Sequence, residues 1–276
     1  MTNSKFTGVA DALAINLPLY ALSVACVHAM GHKIDLYADT LGAEILSPVP
    51  YDTVHIIDNT ITDNWHFAAS IKFCALQQMP LGTVLIDGDI ILHRPEVYRV
   101  IDESKEDITV SFFEPKDYIK NNVNPEIFSK LREQGFEYPY KTPDYTAIEG
   151  WLNTSLMKFT SEKLKQEYID QYIKHLKLLE KVDFNGLWPD IAIEQYHLSC
   201  LVREGGYTVN RVIKNYPSAE AEHYAGHVGF AHVGAMKRNM TTIVRNMLER
   251  VDSALYYDIL NHIDVMTAKL SNVNQC

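Results

Sequence analysis

Two carboxylates flank a glycine directly after a short apolar run. Thr83–Ile86 (TVLI) is predicted as a strand, and Asp87, Gly88 and Asp89 follow it. In open α/β sheets ligands bind at the carboxyl ends of strands, and residues two apart point to the same side. Gly88 is expected to let the backbone turn tightly. Carboxylate oxygens are suitable ligands for a Mg²⁺ or Mn²⁺ ion that is bound to a diphosphate, so the segment predicts a metal site. The alternative is an ordinary Asp-Gly surface turn.

The composition is that of a globular protein. The chain has 276 residues, 47% apolar and 22% charged, with a net charge of -10. That charge argues against a general nucleic-acid surface, which needs clustered Lys and Arg. The four cysteines form no CxxC pair, which favours a reducing compartment. Val9–Met30 is apolar, but polar residues interrupt it, so we expect a buried helix and no stable membrane span, with a targeting segment as the alternative. Without a convincing export signal, the expected location is cytoplasmic.

The elements that must position the carboxylates alternate along the chain. Apolar runs and helical stretches succeed one another, which predicts an α/β fold with a mostly parallel central sheet flanked by helices. We expect one domain over 1–235, in which the irregular, proline-containing region 117–146 stands near the cleft. Residues 236–276 are predicted as one long amphipathic helix packed on that domain, with a homodimer through this helix as the alternative.

Four segments resemble a known family. The strand with Asp-Gly-Asp resembles the DxD segment of GT-A glycosyltransferases, which share a nucleotide-diphospho-sugar transferase fold. Three later segments occur in the order seen in retaining family 8 glycosyltransferases, the family that includes glycogenin. They are Trp151–Met157 (WLNTSLM), Glu194-Gln195, and His232–Lys237 (HVGAMK). The resemblance extends over about Leu36 to Lys237, most of the chain.

The resemblance implies a role for each matching residue. His232 would join Asp87 and Asp89 at the metal, and Lys237 would contact the phosphates. A short apolar run before His232 predicts a strand that brings the imidazole to the aspartates. The resemblance assigns the remaining matching residues to the sugar, its anomeric carbon or the acceptor. These residues are Asn153, Ser155, Glu194 and Gln195. Glu194 stands where the family has Asp, and Ser155 where it has Gly.

Two further polar residues are candidates for donor binding. Asp39 follows a predicted strand, where it would contact the base or ribose of a nucleotide or, alternatively, cap a helix. Lys72 lies among apolar residues of the helix before the Asp-Gly-Asp strand. Its ammonium would reach the nucleotide or sugar or, alternatively, extend to water.

The function expected from these residues is metal-dependent glycosyl transfer. A nucleotide-sugar such as a UDP-sugar would be the donor, a glycan or another molecule the acceptor, and Mn²⁺ or Mg²⁺ the cofactor. The metal and a lysine would stabilise the charge that develops on the departing diphosphate. One alternative is a metal-dependent phosphohydrolase using the same aspartates. Another is a non-catalytic GT-A-like protein that binds a saccharide or a partner.

Overall fold

The chain divides into two compact units. A computed structural model describes residues 9–58, 61–62, 67–115, 126–135, 150–180, 182, 189, 192–215 and 225–273. The first unit comprises Met1–Ile57, Asp87–Tyr98 and Gly229–Cys276, and the second comprises Asp58–Ile86 and Arg99–Val228. Each unit is therefore built from segments that are distant in sequence.

Helices and short strands alternate along the described chain, as expected for an α/β protein. In chain order the elements are α1 Val9–Ala29, β1 Asp35–Ala38, α2 Thr40–Ile45, β2 Thr53–Ile56, α3 Ser70–Gln78, β3 Val84–Ile86, β4 Ile90–Leu92, α4 Pro95–Asp102, β5 Ile108–Val110, β6 Phe113–Pro115, α5 Glu126–Glu133, β7 Gly150–Leu152, β8 Leu156–Phe159, α6 Glu162–Leu179, a π-helical turn Ala192–Tyr196, α7 His197–Gly205, β9 Val209–Arg211, β10 Phe230–His232, a 3₁₀ turn Gly234–Met236, α8 Lys237–Val251 and α9 Ser253–Val273.

The core of the first unit forms around α1. This helix packs against α8, α9 and β4, and its residues Leu17, Leu19 and Leu22 are fully buried. The helical segment Ala10–Ala29 is long and apolar enough to cross a membrane, yet 61% of its most apolar 18-residue stretch is buried within the protein. Burial of this kind is what a core helix shows, because its apolar side chains are already removed from water. The expected buried N-terminal helix is thus present.

The second unit contains a four-stranded mixed sheet in the order β3-β8-β5-β9. Strand β8 runs antiparallel to both β3 and β5, and only β5 and β9 are parallel. Antiparallel pairings also join β6 to β7, and β4 to β10 in the first unit, where β1 and β2 are parallel. The expectation of a mostly parallel sheet is therefore wrong for the described strands. Continuous apolar runs are typical of parallel strands, but antiparallel strands that are buried on both faces have the same pattern.

Two local expectations also differ from the structure. Within 117–146, Glu126–Glu133 forms helix α5, whose apolar face of Ile127, Phe128 and Leu131 is buried. Outside 126–135, that region lies beyond the described residues. The C-terminal helix is broken at Asp252, which has extended backbone and whose carboxylate accepts a hydrogen bond from Leu255 N. An aspartate in this conformation caps the next helix, so α8 and α9 are separate.

Candidate functional site

The Asp-Gly-Asp segment forms a tight turn in the first unit. Ile90 N donates to Asp87 O at 3.0 Å, which closes the turn between the end of β3 and the start of β4. Asp89 is buried, with 8% of its surface exposed. A carboxylate removed from water in this way needs a positively charged or hydrogen-bonding partner. Its partners come from a distant part of the chain.

Strand β10 brings His232 to Asp89. It pairs antiparallel with β4, so that His232 lies opposite Ile90, and Val233 N donates to Asp89 O at 3.1 Å. His232 Nε2 is then 3.8 Å from Asp89 Oδ1. Gly234 follows with a φ of 49°, a conformation that L side chains rarely adopt. The strand expected before His232 and the glycine turn after it are both present.

Lys237 completes this group, which we call the first-unit cluster: Asp87, Asp89, His232 and Lys237. Its Nζ lies 3.0 Å from Asp89 Oδ2, and the two side chains are only 13% and 11% exposed. Lys237 is the first residue of α8, and no side chain caps that helix end. Backbone N–H groups at a helix start favour anions, as an ammonium does. The cluster thus combines carboxylates, an imidazole and a cationic end suited to a phosphate.

The cluster can be tested against the requirements of a divalent metal. A separation of 3.8 Å between Asp89 Oδ1 and His232 Nε2 suits two ligands that each lie about 2 Å from one ion. No group of three or more His, Cys, Asp or Glu side chains in the described part of the chain is arranged to hold a metal. Mg²⁺ is commonly bound through one or two carboxylates together with substrate phosphates, rather than by an all-protein cage. The donor set fits a metal that arrives with a diphosphate.

Tyr20 borders the cluster, although no sequence motif singles it out. Burial, followed by the negative charges of Asp89 and Asp87, raises the pKa of its phenol to about 12. Its ring lies against Gly88, where an added Cβ atom would be 2.2 Å from Tyr20 Cε1. Helical periodicity alone assigns Tyr20 to a core helix, because the contact depends on how α1 meets a turn in a distant part of the chain.

A second cluster lies within the second unit and consists of Lys72, Thr154 and Glu194. Lys72 Nζ is 2.8 Å from Glu194 Oε1 and donates to Thr154 O at 3.3 Å. Thr154 Oγ1 donates to the same Glu194 oxygen at 2.7 Å. The Lys72 and Glu194 side chains are only 13% and 9% exposed. Two expected site residues, far apart in sequence, therefore meet as a buried ion pair, and Lys72 does not simply extend to water.

Glu194 and Gln195 lie on the π-helical turn Ala192–Tyr196. Such turns interrupt α-helices rarely and often occur at functional sites. The Gln195 side-chain oxygen Oε1 is buried without a hydrogen-bond partner in the described structure. Leaving a buried amide oxygen without a donor is energetically costly, so such atoms are rare in folded proteins.

Asn153 and Ser155 belong to a buried hydrogen-bond network next to β8. Asn153 Oδ1 accepts from Ser155 N at 3.0 Å, and Asn153 Nδ2 donates to Glu114 Oε1 at 2.7 Å. The hydroxyl oxygens of Ser155 and Ser111 are 2.6 Å apart. Burial raises the pKa of Glu114, while the hydrogen bond from Asn153 acts in the opposite direction. Glu114 was not expected from the sequence, because a lone acidic residue on a short strand is usually exposed.

Asp39 has a structural role. Its carboxylate accepts a hydrogen bond from Gly42 N at 2.6 Å and caps the start of α2. The helix-capping alternative therefore describes its observed contacts. Contact with a base or ribose remains a prediction for this residue.

Comparison of the chain with protein-family models, curated proteins and solved structures finds no match in any of the three.

Proposed function

We propose that this protein is a divergent metal-dependent glycosyltransferase of the GT-A type, similar to retaining family 8. It would transfer a sugar from a nucleotide-sugar donor to a saccharide or other acceptor, with Mn²⁺ or Mg²⁺ as cofactor. One observation carries the proposal: His232 and Lys237 both approach the carboxylate of Asp89, at 3.8 and 3.0 Å. A cation-binding carboxylate beside an imidazole and a lysine suits a metal-bound diphosphate better than it suits a surface turn.

The first-unit cluster would hold the leaving group. Asp89 and His232 would bind the metal together with the phosphates of the donor, and Asp87 stays a ligand expected from the sequence. The metal would supply positive charge to the diphosphate oxygens as the sugar–phosphate bond breaks. Lys237 would add a second positive charge and donate hydrogen bonds to a phosphate oxygen. The chain's own groups would therefore stabilise a diphosphate as it leaves.

The second-unit cluster supports the assignment to a sugar substrate. Sugar hydroxyls are recognised by groups that both accept and donate hydrogen bonds in a rigid arrangement. Glu194 is held by Lys72 and Thr154, and the buried Gln195 oxygen has no donor in the described structure. The family resemblance assigns Gln195 to the region of the anomeric carbon and Glu194 to a sugar or acceptor hydroxyl, and both roles stay predictions. Asn153 and Ser155 would line the same part of the second unit.

The decisive experiment uses a panel of nucleotide sugars with and without Mn²⁺. We expect one donor to raise the melting temperature only when metal is present, and to release free nucleoside diphosphate slowly. Asp89→Asn is expected to remove both effects, whereas Asp35→Asn, at an exposed position in the same unit, should keep them. Circular dichroism of both variants checks that the fold is retained.

Other outcomes separate the alternatives. Release of inorganic phosphate from simple phosphate esters, with no sugar transfer, would indicate a phosphohydrolase. Binding of a saccharide without turnover of any donor would indicate a non-catalytic protein. Equal nucleotide affinity in excess chelator would reject the metal-dependent proposal.

A further inference from the structure

The ring of Tyr20 occupies the space in which any side chain at position 88 would lie. A Cβ atom added to Gly88 would be 2.2 Å from Tyr20 Cε1 and 2.5 Å from Cδ1. Gly88 is not among the described glycines with positive φ. Glycine is therefore required here by the close approach of the ring and not, as the sequence suggested, by a special backbone conformation.

The helix that carries Tyr20 is firmly packed. The neighbours of Tyr20 on α1, Leu19, Ala21 and Leu22, are 1%, 0% and 0% exposed and belong to the core of the first unit. Close packing of this kind allows little movement of the helix backbone. The backbone that carries Tyr20 is thus fixed, and the Tyr20 ring lies against the Gly88 position of the Asp-Gly-Asp turn.

We propose that Tyr20 is a positioning residue for the first-unit cluster: its ring packs on Gly88 and fixes the turn that presents Asp87 and Asp89 to a divalent cation. This inference rests on the function proposed for that cluster. A turn fixed before binding loses less conformational freedom when its carboxylates bind an ion, so affinity is higher.

The first test measures Mn²⁺ affinity directly, by calorimetry on the full chain in the presence of UDP. Tyr20→Phe keeps the ring and is expected to bind Mn²⁺ as the wild type does. Tyr20→Leu removes the ring and is expected to weaken Mn²⁺ binding about 10-fold. This is the lower end of the affinity loss seen when a residue that supports a metal ligand is removed. Tyr256→Leu is the matched control, because Tyr256 is also partly buried against the first-unit core. It should lose stability without losing Mn²⁺ affinity.

The second test uses position 88 and does not depend on the metal. Gly88→Ala is expected to lower the melting temperature in the wild-type background, because the methyl group meets the ring. In a Tyr20→Ala background the same substitution should cost much less, giving a strongly non-additive double-mutant cycle. Additive effects, or unchanged Mn²⁺ affinity in Tyr20→Leu while Asp89→Asn abolishes binding, would overturn the positioning role alone. A wild-type chain that binds no Mn²⁺, with or without nucleotide, would overturn the proposed function as well.

Discussion

The ion pair between Lys237 and Asp89 gives a quantitative prediction. Lys237→Met keeps most of the length and volume of the side chain but removes its charge. The two side chains are only 13% and 11% exposed, so Asp89 would remain largely buried after losing its ammonium partner. Removal of one partner of a buried pair typically costs 3–5 kcal/mol, and the slight exposure places this pair at the lower end, about 3 kcal/mol. Because the charge left behind is negative, an added divalent cation should recover part of the loss.

Urea unfolding followed by far-ultraviolet circular dichroism, with and without Mn²⁺, measures both effects. The control is Lys269→Met, since Lys269 pairs with Glu44 at an exposed position where the side chains are 51% and 45% accessible. Such a surface pair is expected to contribute no more than about 1 kcal/mol. Mn²⁺ at 100 times its Kd would restore about 2.7 kcal/mol to the Lys237 variant. If Lys237→Met were as stable as the wild type, the pair would not be a buried interaction that stabilises the fold.

Three further predictions concern the other groups. His232→Ala is expected to lower metal-supported turnover by about 10-fold or more, measured as release of nucleoside diphosphate. Unchanged turnover and metal dependence in this variant would contradict the role of His232. Glu194→Gln should slow turnover and also destabilise the chain, because Lys72 would lose its carboxylate partner; a kcat equal to wild type would contradict the role of Glu194. Burial lowers the pKa of His175 to about 4. The pKa of His197 is also lowered, mainly by burial and in addition by the neighbouring His175. The unfolded chain therefore binds more protons than the folded chain between about pH 6.5 and 4, so unfolding free energy should fall as pH falls through this range, and His175→Phe should reduce that dependence.

Much of the first-unit cluster was predictable from local sequence. An apolar run before Asp87, another before His232, and a glycine two residues later are signals carried within a few residues of each motif. The structure has β3 and β10 where these runs predict them, and Gly234 has positive φ. Local patterning succeeds here because strand burial and glycine turns are decided by the nearest residues in the chain.

The direction of strand pairing was not predictable in this way. The apolar run of β8 favours a parallel sheet, yet an antiparallel strand that is buried at nearly every position has the same pattern. The antiparallel position of β8 between β3 and β5 depends on the path of the connecting chain. Similarly, the periodicity of the C-terminal region continues across Asp252, and only its backbone conformation separates α8 from α9.

The sequence by itself determined which residue types stand at the carboxyl ends of the strands, because carboxylates, imidazole and ammonium retain their chemistry in any fold. Tertiary structure decided which of them meet. It paired Lys72 with Glu194, placed Lys237 on Asp89, and set the Tyr20 ring against Gly88. These contacts join residues far apart in the chain, and they form because burying apolar helices and strands brings the polar groups at their ends together. No short-range pattern records such a juxtaposition, since packing of whole elements fixes it.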